Sequence, residues 1–272
     1  MEHLTVTTWD SALSDPTGTR NHKPRNAGLT MVIDKGMGIR DYEDMIACAA
    51  PYIDFIKLGF GTAALYPLHI LKQKIRLAHE HNIRIMPGGT FVEVAIYRNQ
   101  LSSLFDMMNQ LKFTAIEISD GTIELTRTLR SSLILQGIDA GLDVVTEYGK
   151  KHLGATIQLE ELLQTVEIDT ALGASLVIIE ARESGKNVGI FDAQGELRSE
   201  DVMNIAESIP DRTKLMWEAP HKSQQAQLLN LLGTATNLGN IAPEDLISLE
   251  ALRRGLRSDT FHLASQGCLK FD

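Results

Sequence analysis

Apolar positions along the chain follow two patterns that take turns. Short continuous runs rich in Val, Ile, Leu and Met recur at 29-LTMVIDKG-36, 54-DFIKLGFG-61, 83-IRIMPGG-89, 115-AIEISDGT-122, 143-DVVTEYGKKH-152, 175-SLVIIEARESG-185, 214-KLMWEAP-220 and 237-NLGNI-241. Runs this short read as strands, and most end in acids, lysines, arginine or glycines. In the fifth run the predicted strand spans Asp143 to Thr146, and Glu147, Tyr148, Gly149, Lys150 and Lys151 follow it directly. Between the runs apolar residues return every three or four positions, which predicts helices over 41–50, 67–81, 92–110, 123–140, 157–173, 199–208, 221–232 and 243–255. Pro67 and Pro243 stand at predicted first turns, where the missing N–H is not needed.

The predicted strands are apolar on both faces, as expected of a parallel sheet covered on both sides. A helix after every strand, with right-handed crossovers, closes either a doubly wound open sheet or a barrel. The count of eight favours an α/β fold of the (β/α)8 TIM barrel type, and 272 residues suit one such barrel of about 250. Residues 1–27 lack periodicity and are expected to form an N-terminal arm with little structure of its own. The barrel domain then spans 28–262 and a C-terminal tail 263–272.

Charge narrows the partners. A formal net charge of -9 argues against non-specific binding to nucleic acid or to an anionic membrane, while small anionic substrates remain open. Two cysteines, Cys48 and Cys268, suit a reducing compartment and give no metal-ligand spacing. Cys48 lies in an apolar helical run and is expected in the core. No apolar stretch reaches the roughly 20 residues of a membrane span, and the N-terminus lacks a signal-peptide core, so a cytoplasmic location is expected. The oligomeric state is left open, a homo-oligomer included.

In such barrels the reacting groups sit at the carboxyl ends of the strands. Those exits carry Asp34 and Lys35; Lys57; Thr90; Glu117, Ser119 and Asp120; Glu147, Lys150 and Lys151; Glu180, Arg182 and Glu183; Glu218; and Asn237 and Asn240. Carboxylates without histidine or cysteine neighbours are hard oxygen ligands that suit Mg²⁺ better than zinc. Lysines and an arginine among them would hold phosphate, sulfonate or carboxylate groups. Alternation puts Glu180 with Arg182, and Glu117 with Ser119, on common faces, without fixing which face points inward. A single strand-end charge is more often a helix cap or a surface ion pair than a catalytic group. Recurrence at nearly every strand end is what favours a site.

The stretches 28-GLTMVIDKGMG-38, 52-YIDFIKLGFGTAALYP-67, 87-PGGTFVEVA-95, 116-IEISDGT-122, 146-TEYGKK-151, 178-IIEARESGKNVGIFDAQGELR-198, 218-EAPHKSQQ-225 and 236-TNLGNIAPEDLISLEALRRGLRSDTF-261 resemble the phosphosulfolactate synthases. The resemblance implies a (β/α)8 barrel and Mg²⁺-dependent addition of sulfite to phosphoenolpyruvate, giving (2R)-2-O-phospho-3-sulfolactate. That product leads to sulfolactate and, in some organisms, to coenzyme M. Phe60 and Tyr148 depart from the family's usual Trp and Val but leave the neighbouring charges intact. For this chemistry the expected general acid is Lys150, with Lys151 second and Glu147 orienting it, its pKa drawn down by burial and neighbouring cations. The expected metal ligands are Glu117, Glu147 and Glu180, with Asp34 in reserve. Lys35, Lys57 and Arg182 are expected on the substrate's anionic groups, together with Ser184, Gly185 and Asn240. Two alternatives stay open: a related barrel lyase using another nucleophile on a phosphorylated enoate, and a catalytically inactive binding protein.

Overall fold

In the computed structural model, which describes residues 9–265, the apolar runs form eight parallel strands. They are β1 (Thr30–Asp34), β2 (Phe55–Leu58), β3 (Arg84–Pro87), β4 (Ala115–Ile118), β5 (Asp143–Tyr148), β6 (Leu176–Ile179), β7 (Leu215–Glu218) and β8 (Leu238–Ile241). The hydrogen-bonded order is β3-β2-β1-β8-β7-β6-β5-β4. Thr114 bridges the remaining seam: its N–H donates to Ile85 O (3.2 Å) and its Oγ1 accepts from Ile85 N (2.9 Å). The sheet is therefore the nearly closed barrel of a single-domain (β/α)8 fold, as the strand count predicts.

Three local expectations are corrected. The helix expected over 92–110 is two, Gly89–Tyr97 and Leu101–Leu111, because the polar break at 98–100 includes Asn99 in the left-handed region (φ 54°). β5 continues past Thr146 to Tyr148, so Glu147 lies within the strand. Cys48 is exposed, since the helix Ile39–Ala49 buries Tyr42, Met45, Ile46 and Ala49 and leaves Cys48 on its other face.

Strand alternation settles which side chains enter the barrel. Met31, Phe55, Met86, Ala115, Val145, Leu176, Ile178 and Met216 pack together inside it, while Val32, Ile56, Ile85, Ile116, Val144, Val177, Leu215 and Leu238 belong to the layer under the helices. Lys57, Glu117, Glu147, Glu180 and Glu218 each follow an interior residue by two positions and so share the interior face at its carboxyl end.

Among the described residues, the arm contains one short helix, Ser11–Ser14, and then side chains that fasten it to the amino end of the barrel. Lys23 Nζ donates to the carbonyls of Ile53 (2.6 Å) and His81 (3.2 Å). Arg25 pairs with buried Asp54 at 2.8 Å, and Arg20 with Glu250 at 3.0 Å. The arm thus covers the end of the barrel away from the strand exits. Among the described residues no helix is long and apolar enough to cross a membrane. The expected C-terminal tail lies mostly outside the described residues.

Candidate active site

Five carboxylates and two ammonium groups converge at the carboxyl end of the barrel interior. Lys57 Nζ lies 2.9 Å from Glu218, 3.1 Å from Glu117 and 3.9 Å from Glu147. Lys151 Nζ lies 2.9 Å from Glu147, 3.5 Å from Glu180 and 4.0 Å from Glu93. Ser119 Oγ links the second group, at 2.7 Å from Glu93 and 2.8 Å from Glu147, and Lys151 also donates to Thr90 Oγ1 at 3.2 Å. All five glutamates and Lys57 are buried.

Backbone donors hold the carboxylates in place. The N–H of Gly89, which opens the helix Gly89–Tyr97, donates to Glu117 Oε1 at 2.7 Å. A side chain at Gly89 would collide with Ser119 and Glu117, since its Cβ would lie 2.5 and 2.6 Å from them, so glycine there lets the helix start approach β4. Glu218 Oε2 accepts from Ala181 N (3.0 Å), and Glu93 Oε2 from Thr122 N (2.9 Å) and Ile123 N (3.0 Å).

The electrostatics follow from burial against pairing. Burial pushes Glu117 up, and Lys57 only partly offsets it, leaving a pKa of about 7. Burial pushes Glu180 the same way, reinforced by the negative charges of Glu147 and Glu218. Glu147 suffers the same burial, but Lys151 and Lys57 outweigh it and hold its pKa low. Burial alone would lower Lys151, yet Glu147, Glu180 and Glu117 raise it above the ordinary lysine value. The expected downward shift by neighbouring cations is thus reversed for this lysine, because carboxylates surround it.

Stability should depend on pH accordingly. A carboxyl whose pKa is raised on folding contributes stability that is present below its unfolded value, 4.5 for Glu117, and lost as pH rises through about 7. Glu180 acts in the same direction. In chelator, the melting temperature is expected to fall from about pH 5 to about pH 8, and Glu117→Gln should flatten part of that fall. A rise over this interval would contradict the assignment.

The carboxylate excess invites a cation. Oxygens of Glu147, Glu180 and Glu218 lie within 4.8 Å of one another, and Glu117 Oε2 is buried with no hydrogen bond beyond its ion pair with Lys57. The donors are all hard oxygens, so the site fits a divalent ion of the Mg²⁺ class.

The structure gathers Glu117, Glu147, Glu180, Lys57 and Lys151 of the predicted residues, brings in Glu218, a strand-exit candidate not assigned to the metal, and adds Glu93. Glu93 had a faint signal, a lone acid within the apolar run 91-FVEVAIY-97. Asp34 stands apart, its carboxylate held by Lys74, Tyr66 and the N–H groups of Gly36 and Met37. Lys150 is half-exposed at the rim, with its Nζ 2.8 Å from Asp120 O. Asp120 therefore ties the rim instead of opening a helix; the next helix starts at Arg127, capped by Thr126. Lys35 is paired loosely with Glu183 at 3.7 Å, and Arg182, in a left-handed conformation (φ 59°), donates to Lys151 O at 3.0 Å. Asn240 is buried, its Oδ1 without a partner, and lines a cavity of about 250 Å³ with Lys35, Glu183 and His221. Ser184 is exposed and its carbonyl meets His221, whereas the Gly185 carbonyl accepts from buried Gln224 at 2.7 Å.

Comparison with known proteins gives a consistent result. Residues 18–259 match the family described as (2R)-phospho-3-sulfolactate synthase. The phosphosulfolactate synthase of Methanothermobacter thermautotrophicus is 38% identical over 246 residues, covering 90% of this chain and 95% of that protein. Its counterpart from Methanocaldococcus jannaschii is 39% identical over 236 residues, covering 86% and 94%. The one from Bacillus subtilis is 38% identical over 246 residues, covering 90% and 96%. Among solved structures, 3-keto-L-gulonate-6-phosphate decarboxylase from Vibrio cholerae superposes with a TM-score of 0.54 at 12% identity, covering 89% of this chain and 100% of that one. The YdjI aldolase from Escherichia coli K12 gives 0.53 at 10% identity, covering 89% and 90%. These two likenesses concern the barrel fold alone.

Proposed function

Because this chain belongs to the (2R)-phospho-3-sulfolactate synthase family, we propose that it adds sulfite to phosphoenolpyruvate, with Mg²⁺, and releases (2R)-2-O-phospho-3-sulfolactate. The observation that supports this most is the buried cluster in which Glu147, Glu180 and Glu218 face one another beside Lys57 and Lys151.

The sulfur lone pair of sulfite forms the bond to C3, the C2–C3 π pair moves to C2 and its carboxylate, and C2 then takes a proton. Mg²⁺ held by Glu147, Glu180 and Glu218 would supply positive charge for the substrate carboxylate as negative charge accumulates there. Lys151 is the general acid in this scheme. Its ammonium stays charged among carboxylates, and Glu147, Ser119 and Thr90 fix its direction. Delivery from one fixed side accounts for a single configuration at C2. Lys57 stands between Glu117 and Glu218 and offsets part of their charge. Lys35, Lys150, Arg182 and Asn240 stand at the rim to receive the phosphate and sulfonate, the guanidinium as a planar fork and the ammonium groups as point charges. Ser184 and Gly185 shape the loop that carries Arg182.

Loss of phosphoenolpyruvate in the presence of sulfite should stop after dialysis against a chelator and return with added Mg²⁺. A rate indifferent to the chelator would remove the cation from this scheme.

A further inference from the structure

The helix Leu68–Glu80 buries Leu71, Lys74, Ile75 and Ala78 on one stripe. A lysine in that stripe is unusual, because an ammonium group without water must be fully paired. Lys74 is paired on every side. Its Nζ contacts the Asp34 carboxylate, Met37 O at 2.6 Å and Tyr66 Oη at 2.9 Å, and it lies 4.0 Å from the Tyr66 ring centre and 5.0 Å from that of Tyr42.

All these contacts converge on the turn that leaves β1. Asp34 Oδ1 accepts from Gly36 N (2.9 Å), Met37 N (2.8 Å) and Tyr66 Oη (2.8 Å), while Lys74 holds the Met37 carbonyl. Both the donors and the acceptor of the turn are thus fixed by one buried ion pair. Between the fixed points stands Lys35, whose side chain lines the cavity it shares with Asn240.

We infer that Lys74 and Tyr66 are positioning residues: through Asp34 and the Met37 carbonyl they fix the turn that directs Lys35 toward the phosphorylated substrate. Its premise is the assignment of Lys35 to substrate binding made above. Neither Lys74 nor Tyr66 touches the carboxylate cluster, so their effect passes through Lys35.

A double-mutant cycle on the full-length protein tests this, with steady-state kinetics in phosphoenolpyruvate at saturating sulfite. Lys35→Ala is expected to raise KM about tenfold. Tyr66→Phe, which removes one hydroxyl from a partly exposed ring, should raise KM about three- to fivefold with kcat within about twofold. In the Lys35→Ala background Tyr66→Phe should change KM no further. Lys74→Met enters the same cycle where its thermal melt shows a folded protein, and should also lose its effect on KM once Lys35 is gone. An equal KM increase for Tyr66→Phe with and without Lys35 would mean that the network supports only the fold. An unchanged KM in Tyr66→Phe also overturns the inference. If Lys35→Ala leaves KM unchanged, the premise fails first and the inference with it.

Discussion

Replacing Lys151 by methionine is expected to lower kcat by about a thousandfold, whereas Lys150→Met should lower it by less than about tenfold. The two lysines are adjacent in sequence but have different surroundings. Lys151 Nζ is inside the cluster, 2.9 Å from Glu147, with Ser119 and Thr90 within 3.4 Å. Lys150 reaches back over the rim to Asp120 and is 42% exposed, so it can hold an anionic group but has no fixed partner inside the barrel. Methionine keeps most of the side chain's length but ends one atom short of the ammonium, so it removes the charge, the hydrogen bonds of Nζ and the transferable proton. Circular dichroism should show both variants folded. A thousandfold loss in Lys150→Met, with Lys151→Met nearly normal, would move the acid to the rim.

Lys57→Met should cost about 3–5 kcal/mol of folding stability, measured by urea unfolding in chelator. Lys57 is the buried cation that Glu117, Glu147 and Glu218 share. Burial alone would lower its pKa, yet these carboxylates and Glu180 outweigh that and raise it well above the ordinary value. Removing it leaves carboxylates facing one another without water, and they can be relieved only by protons or a divalent ion. The loss should therefore shrink when Mg²⁺ is present during unfolding. A change under about 1 kcal/mol in chelator would show that the carboxylates do not depend on Lys57.

The barrel was legible because eight apolar runs, each followed by a helical period, allow few closures. The site was legible only in part. Its strand-end acids stood out, but strands apolar on both faces hide which parity points inward, so Glu218 could not be ranked above Asp34. Asp34 is the last residue of β1 and looks the same in sequence, yet Lys74 from the helix Leu68–Glu80 claims it. Which of Lys150 and Lys151 points into the barrel was equally hidden: neighbours just beyond a strand diverge, and the turn through Gly149 (φ 128°) decides it. Glu93 lies on a helix instead of a strand exit, where a search confined to the exits does not reach. The arm's three cations find their partners in Glu250, Asp54 and loop carbonyls far along the chain, and no local pattern reveals such pairings.

The most direct test of the whole scheme is phosphorus NMR of the purified protein with phosphoenolpyruvate and Mg²⁺, recorded with and without sulfite. The scheme predicts a new phosphate monoester that appears only with sulfite and accumulates as the enol phosphate disappears. Loss of the enol phosphate at the same rate without sulfite, or none under either condition, would contradict it.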